Sequence, residues 1–169
     1  MKLFVPLLLC IISVSCYSST DEICTKEQTK LQVVDFSLCV TSKKIHSVKA
    51  LPGLDTSVLV KTKTGTFILS NMLAKNGLND LPSKLGLSNH QLLSLLFSSN
   101  EEPYSEIKPA FFIDETTKLV VAELKGGFTY FLIDNGDIEH SKAYITSRDD
   151  SLYLLQVTEG PLMTKELLP

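Results

Sequence analysis

The sequence predicts an α+β protein, mainly antiparallel β-sheet, with a strand meander in the C-terminal third and one main helix (about 88–98) packed on one sheet face. Three observations predict it. Short runs rich in Val, Ile, Thr, Phe and Tyr recur between Gly, Asp and Asn turns. One segment only, SNHQLLSLLFSS, carries a broad apolar face at helical spacing behind a capping signal. Strands precede it and strands follow it, an order that favours a sheet with a helix laid across it.

Taken in order, residues 1–15 read as a signal peptide. Lys2 opens a 12-residue apolar stretch, Leu3 to Val14, interrupted by Pro6 and Ser13. A span needs about 20 residues, so the stretch fits a leader core and not an anchor helix. Residues 16–30 are polar and read as a tether. LQVVDFSLCV (31–40) alternates as one strand, with Val34, Phe36, Leu38 and Val40 on one side. SKKIHSVKAL reads as a weaker strand or a loop, stopped by Pro52-Gly53. Val58–Lys63 and Thr66–Leu69 then flank Thr64-Gly65, a hairpin turn in which glycine is expected to supply a positive φ.

NMLAKNG and LPSKLG read as short helical turns. In the main helix Ser88 is the N-cap and Gln91 completes a capping box. Residues 98–109 form an acidic connector, and KPAFFID leads out of it as a strand to a turn at Asp114–Thr117. KLVVAEL and FTYFLID flank Gly126-Gly127. A tight two-residue turn there sets Leu124 opposite Thr129, Ala122 opposite Phe131 and Val120 opposite Ile133. Strand 128–133 is apolar on both faces and is expected in the middle of the sheet. IEHSKAYITS is more polar and expected to be more exposed, and SLYLLQVT is the last strand before Gly160-Pro161. Residues 31–169 are expected to form a single α+β domain, since the length suits one core.

Charge excludes some partners. Cleavage after residue 15 removes Lys2 and leaves 15 basic against 19 acidic residues, a net charge of −4. That gives no electrostatic reason for nucleic acid. Basic charge is all lysine except Arg148, so a bidentate phosphate site would rest on one guanidinium or on lysines.

Cysteine parity points outward. Ser13-Val14-Ser15 is small-x-small and suits cleavage before Cys16. The four residues Ser13-Val14-Ser15-Cys16 resemble a bacterial lipobox, with Ser15 in the small position and Ser13 where an aliphatic residue belongs. The resemblance implies a lipid on Cys16 and attachment to the periplasmic side of a bacterial membrane. Acylation of Cys16, or its removal, leaves Cys24 and Cys39 as an even pair, a candidate disulfide. The chain has six Asn and no Asn-x-Ser/Thr site, which leans away from a eukaryotic secretory protein.

No catalytic constellation is legible. There is no GxSxG, no P-loop and no GxGxxG. His46, His90 and His140 are scattered, and CxxC is absent, so neither a metal nor a cofactor is expected. Glu101-Glu102, Asp134/Asp137 and Asp149-Asp150 fall in turns, where side-chain-to-backbone bonds explain them. Tyr130 and Tyr144 are expected on the less apolar sheet face, as a candidate binding surface. The reading is a small exported binding protein of the bacterial envelope, an accessory or immunity-type protein with a protein partner. The alternatives are a small secreted enzyme and a secreted eukaryotic protein without lipid.

Overall fold

The computed structural model describes residues 24, 26–41, 44–51, 56–63, 65–72, 78, 80–124, 127–137, 139–147 and 149–160. The leader, Cys16, Arg148 and the tail after Gly160 lie outside them. The described chain builds three layers: a two-stranded hairpin, a seven-stranded sheet and a helical layer.

The hairpin pairs β1 (Gln28–Val33) with β2 (Phe36–Thr41), Val33 standing opposite Phe36. The sequence predicts one strand over 31–40. The chain instead reverses at Val34-Asp35, with Val34 at φ 56° and 53% exposed. Asp35 is the one turn-forming residue here, and without Gly, Asn or Pro beside it the signal for a reversal is weak. The reversal turns Leu31, Val33, Phe36 and Val40 together onto the sheet. β1 begins inside the segment expected as a tether. Cys24 and Cys39 are disulfide-bonded with Cα atoms 5.5 Å apart, tying the entry to β1 onto β2.

The sheet contains β3 (Ile45–Leu51), β4 (Ser57–Thr62), β5 (Thr66–Asn71), β6 (Lys118–Leu124), β7 (Phe128–Asp134), β8 (Lys142–Ser147) and β9 (Leu152–Glu159). Their spatial order is β3-β4-β5-β9-β8-β7-β6, and every pairing is antiparallel. Two meanders, β3–β5 and β6–β9, are thus joined edge to edge through β5 and β9. Gly65 matters at that seam for a different reason than the one expected. A Cβ there would lie 2.2 Å from the Glu159 carbonyl oxygen, so close approach of β9, not a positive φ, excludes a side chain.

The hairpin covers one sheet face, where Phe36 packs against Phe128 and Tyr153 at ring separations of 5.0 and 5.1 Å. The other face is covered by α1 (Leu81–Leu85), α2 (Asn89–Ser98) and α3 (Tyr104–Ile107). Leu92, Leu93 and Leu96 of α2 are fully buried beside Phe131 and Ile133. Its expected capping box is present: Ser88 Oγ accepts from Gln91 N at 3.1 Å, and Gln91 Oε1 accepts from Ser88 N at 2.9 Å.

Three further expectations are corrected. KPAFFID is not a strand: Lys108–Phe111 is a 3-10 turn continuing α3. The β6–β7 loop has three residues, so Leu124 faces Phe128, Ala122 faces Tyr130 and Val120 faces Leu132. β8 is buried from Ala143 through Ser147 because it lies between β7 and β9 with both faces covered. Its polar residues are bonded, Thr146 Oγ1 to His90 Nδ1 at 3.0 Å and Ser147 Oγ to Ser151 N at 3.1 Å. β7 is buried on both faces as expected, yet it is the second strand from an edge, with β6 outside it. No described helix is long and apolar enough to cross a membrane.

Candidate functional site

Tyr130 and Tyr144 do not form a presented surface. They are 2% and 5% exposed and point to opposite faces, Tyr130 beneath the hairpin layer and Tyr144 beneath the helices. Burial pushes both hydroxyls up to about 12, with the Asp134 charge adding to the effect on Tyr130. Sequence reasoning missed the second covering layer, and with it the burial of Tyr130.

A different aromatic is displayed. The 3-10 turn ends with Phe112 N–H donating to the Pro109 carbonyl at 3.0 Å and Ile113 N–H to the Lys108 carbonyl at 3.1 Å. These two bonds place Phe112 at the left-handed closing position of a Schellman motif, with φ 61°. The end of α1 shows the usual solution. Gly86, at φ 66°, donates to Ser83, and Leu87 donates to Pro82. A left-handed conformation costs an L-residue roughly 1–2 kcal/mol. Phe112 bears this cost with 51% of its surface exposed, so core packing does not account for its identity.

Two neighbours pack against its ring. The His140 ring lies 5.1 Å away, and Lys142 Nζ lies 4.8 Å from the ring centre. Lys142 also reaches the rings of Phe111 and Tyr144, at 6.0 and 5.7 Å, and partial burial lowers its amine below its ordinary value.

Phe112 stands at the lip of a cleft of about 380 Å³, lined also by Pro109, Ile113, Asp114, Thr116, Asn135, Asp137 and His140. The cleft is built from two turns at one end of β6 and β7. In the first, Asp114 Oδ1 accepts from the hydroxyl and N–H of Thr116 at 2.7 and 2.8 Å, and from Thr117 N–H at 3.1 Å. The Thr116 hydroxyl, then its N–H, holds the Asp114 carboxyl below the usual range. In the second, Asp137 Oδ1 accepts from His140 N–H at 2.8 Å and meets His140 Nδ1 at 3.0 Å. The His140 N–H is the main reason the Asp137 carboxyl is also lowered. Asn135 ties the turns together: its Oδ1 accepts from Thr117 Oγ1 at 2.7 Å, and its Nδ2 donates to the His140 carbonyl at 3.1 Å. Both carboxylates are therefore charged at neutral pH. The hydrogen bonds that fix both turns converge on Oδ1 of each carboxylate.

A second cleft of about 710 Å³ lies between the start of α2 and the β6–β7 loop, lined by Ser88, His90, Gln91, Glu123, Gly127, Thr129 and Ser147. Its groups largely satisfy one another. His90 Nδ1 bonds Thr146, and Glu123 accepts from the Thr129 hydroxyl at 3.2 Å. The first amides of α2 are taken by Asp150 Oδ1, at 2.6 Å from Asn89 N. His46 is exposed on β3, at the far edge of the sheet from both clefts. Glu101 and Glu102 lie in an exposed turn before α3, and Asp134 receives Gly136 N–H at 3.0 Å, as turn chemistry predicts. Among the described residues no three His, Cys, Asp or Glu groups come together as metal ligands.

Fold and site together define a disulfide-bonded, three-layer α+β protein with an aromatic-lipped acidic cleft at one end of its sheet. No family model, curated protein or solved structure matches the chain.

Proposed function

We propose that this protein is a small exported, non-catalytic binding protein that engages a protein partner through Phe112 and the cleft beside it. The observation that carries the reading is Phe112 itself: a bulky residue in a left-handed conformation, half exposed, with its ring pinned by His140 and Lys142. Strained, exposed positions of this kind concentrate at functional sites. A rigid aromatic is also an efficient anchor, because little side-chain freedom is lost on binding.

Export is supported by the leader pattern and by a disulfide suited to an oxidising compartment. Under this reading Cys16 becomes the first mature residue, carrying lipid on a bacterial membrane, and the partner is another envelope protein. Affinity purification from the native envelope tests the binding role, comparing the wild-type chain with Phe112→Asn. A partner retained by the first and lost by the second is expected. Equal recovery by both contradicts the reading. Mass spectrometry of the mature N-terminus tests the address: a diacyl or triacyl mass on Cys16 is expected, and an unmodified terminus refutes the anchor.

A further inference from the structure

We infer that this protein forms a reversible two-fold dimer, in which β6 pairs antiparallel with β6 of a second copy and Val121 lies on the axis. The inference does not depend on the Phe112 reading. Among the described residues β7 is the only strand paired with β6, so β6 is one edge of the sheet. An edge strand presents a row of backbone donors and acceptors to any extended segment that can lie beside it.

Three features select a second copy. First, the two edges of the sheet are built differently. Edges are commonly blunted by bulges and lysines. At the β3 edge the register against β4 shifts between Ile45 and Ser47, and Lys49 is exposed in the middle of the strand. β6 has neither device at its centre. It pairs with β7 over all seven residues without a shift, and its middle residue, Val121, is 52% exposed. Second, the strand is complementary to itself. Around a two-fold axis normal to the sheet, one register alone pairs Lys118–Leu124 along its whole length, and it sets Val121 opposite its own copy. Leu119 then faces Glu123, Val120 faces Ala122 and Lys118 faces Leu124, so no like charges meet. Moving the axis to Lys118 or to Glu123 sets like charges directly opposite, which is unfavourable. The edge holds one lysine and one glutamate, so the net charge of −3 is not concentrated there. Third, the pairing continues a core. Val120, Ala122 and Leu124 are half-buried and pack against the hairpin-side cluster. Laying β6 beside its copy brings the two clusters together and covers the exposed valine of each. Such a pairing supplies about six to eight backbone hydrogen bonds. An interface one strand long is small, so the dimer is weak and reversible.

The test is sedimentation equilibrium of the complete exported chain carrying Cys16→Ser, which removes both the lipid site and an odd thiol. A monomer–dimer equilibrium is expected. Val121→Lys and Val121→Glu are each expected to abolish it, because each sets two like charges opposite on the axis. An equimolar mixture of the two variants is expected to recover a dimer. Val48→Lys, on the opposite edge, is expected to leave the equilibrium unchanged. Val121 is exposed, so the variants are expected to keep the thermal transition of the monomer. Hydrogen exchange on the chain with Val121 intact needs no variant at the edge. Amides of β6 are expected to exchange more slowly at high protein concentration, and those of β3 at an unchanged rate. A chain that stays monomeric at every concentration overturns the inference, as does a dimer that survives Val121→Lys or is lost with Val48→Lys. A mixture of the lysine and glutamate variants that stays monomeric overturns the two-fold register. A monomer whose β6 amides are protected only by a different envelope protein overturns it in favour of a foreign strand.

Discussion

The ammonium of Lys142 lies 4.8 Å from the centre of the Phe112 ring, and this contact joins an interior strand of the sheet to the most exposed aromatic among the described residues. Lys142 begins β8, an interior strand, and Phe112 closes a helical turn outside the sheet. The pairing explains how a side chain with half its surface in water keeps one orientation.

The backbone at Phe112 can be tested apart from its ring. Phe112→Gly and Phe112→Ala lose the same ring contacts and differ in backbone preference. Glycine adopts φ 61° freely and alanine does not. The glycine variant is expected to be more stable in urea than the alanine variant by about 1 kcal/mol, the reverse of the order inside a helix. Gly86→Ala, at φ 66°, is expected to cost about the same. An alanine variant equal to glycine at residue 112 would refute the strained closing position.

Tyr153 fastens the hairpin layer to the sheet. Its ring is fully buried against Phe36, and its hydroxyl donates to Asp35 in the turn between β1 and β2. Hydrogen bonds to charged groups contribute about 1.5–3 kcal/mol. Tyr153→Phe and Asp35→Ala are expected each to destabilise by an amount of about that order. A double-mutant cycle from chemical denaturation should show strong coupling, whereas additive losses would mean that the bond holds nothing.

Two of the three buried tyrosines among the described residues make alkaline stability predictable. Tyr130 and Tyr144 are held up to about 12, against an unfolded value of about 10. A raised folded value means that the stabilisation is complete below pH ~10 and lost as pH rises toward 12. Absorbance of tyrosinate should show both groups titrating late, together with unfolding between those limits. Early, reversible titration of either one with the fold intact would contradict its burial.

The disulfide closes a loop of sequence separation 15, which the chain-entropy account values at about 3 kcal/mol. Cys24→Ser and Cys39→Ser are expected to destabilise equally, and the double variant no more than either single one. Thermal denaturation under oxidising conditions measures this, and clearly additive losses would refute the pairing.

Much of the fold is readable in the sequence because local signals agree with it. Ser88 and Gln91 mark the start of α2, and its leucines mark the buried face. The β-rich segments after residue 118 follow their alternation into strands. The misread burial of Tyr130 and of β8 has one physical cause, long-range covering that short windows do not contain. Without the reversal at Val34-Asp35, no second layer exists to bury Tyr130. Without both layers, Lys142–Ser147 reads as an exposed strand. The β6–β7 register slipped by one because the loop holds three residues, with Gly127 at φ 79°. Phe112 was least legible of all: Phe-Phe-Ile reads as strand, and nothing local demands a left-handed aromatic. The cleft residues Asp114 and Asp137 are legible as turn residues and not as the walls of a cleft.

A photo-crosslinking amino acid at position 112 in the native envelope tests the central claim most directly. The control carries the same group at Val48, which is exposed on β3 at the opposite edge of the sheet. The account predicts one discrete crosslinked protein from position 112, absent from position 48 and competed away by the untagged wild-type chain. No adduct at 112, or the same adducts at both positions, would contradict it.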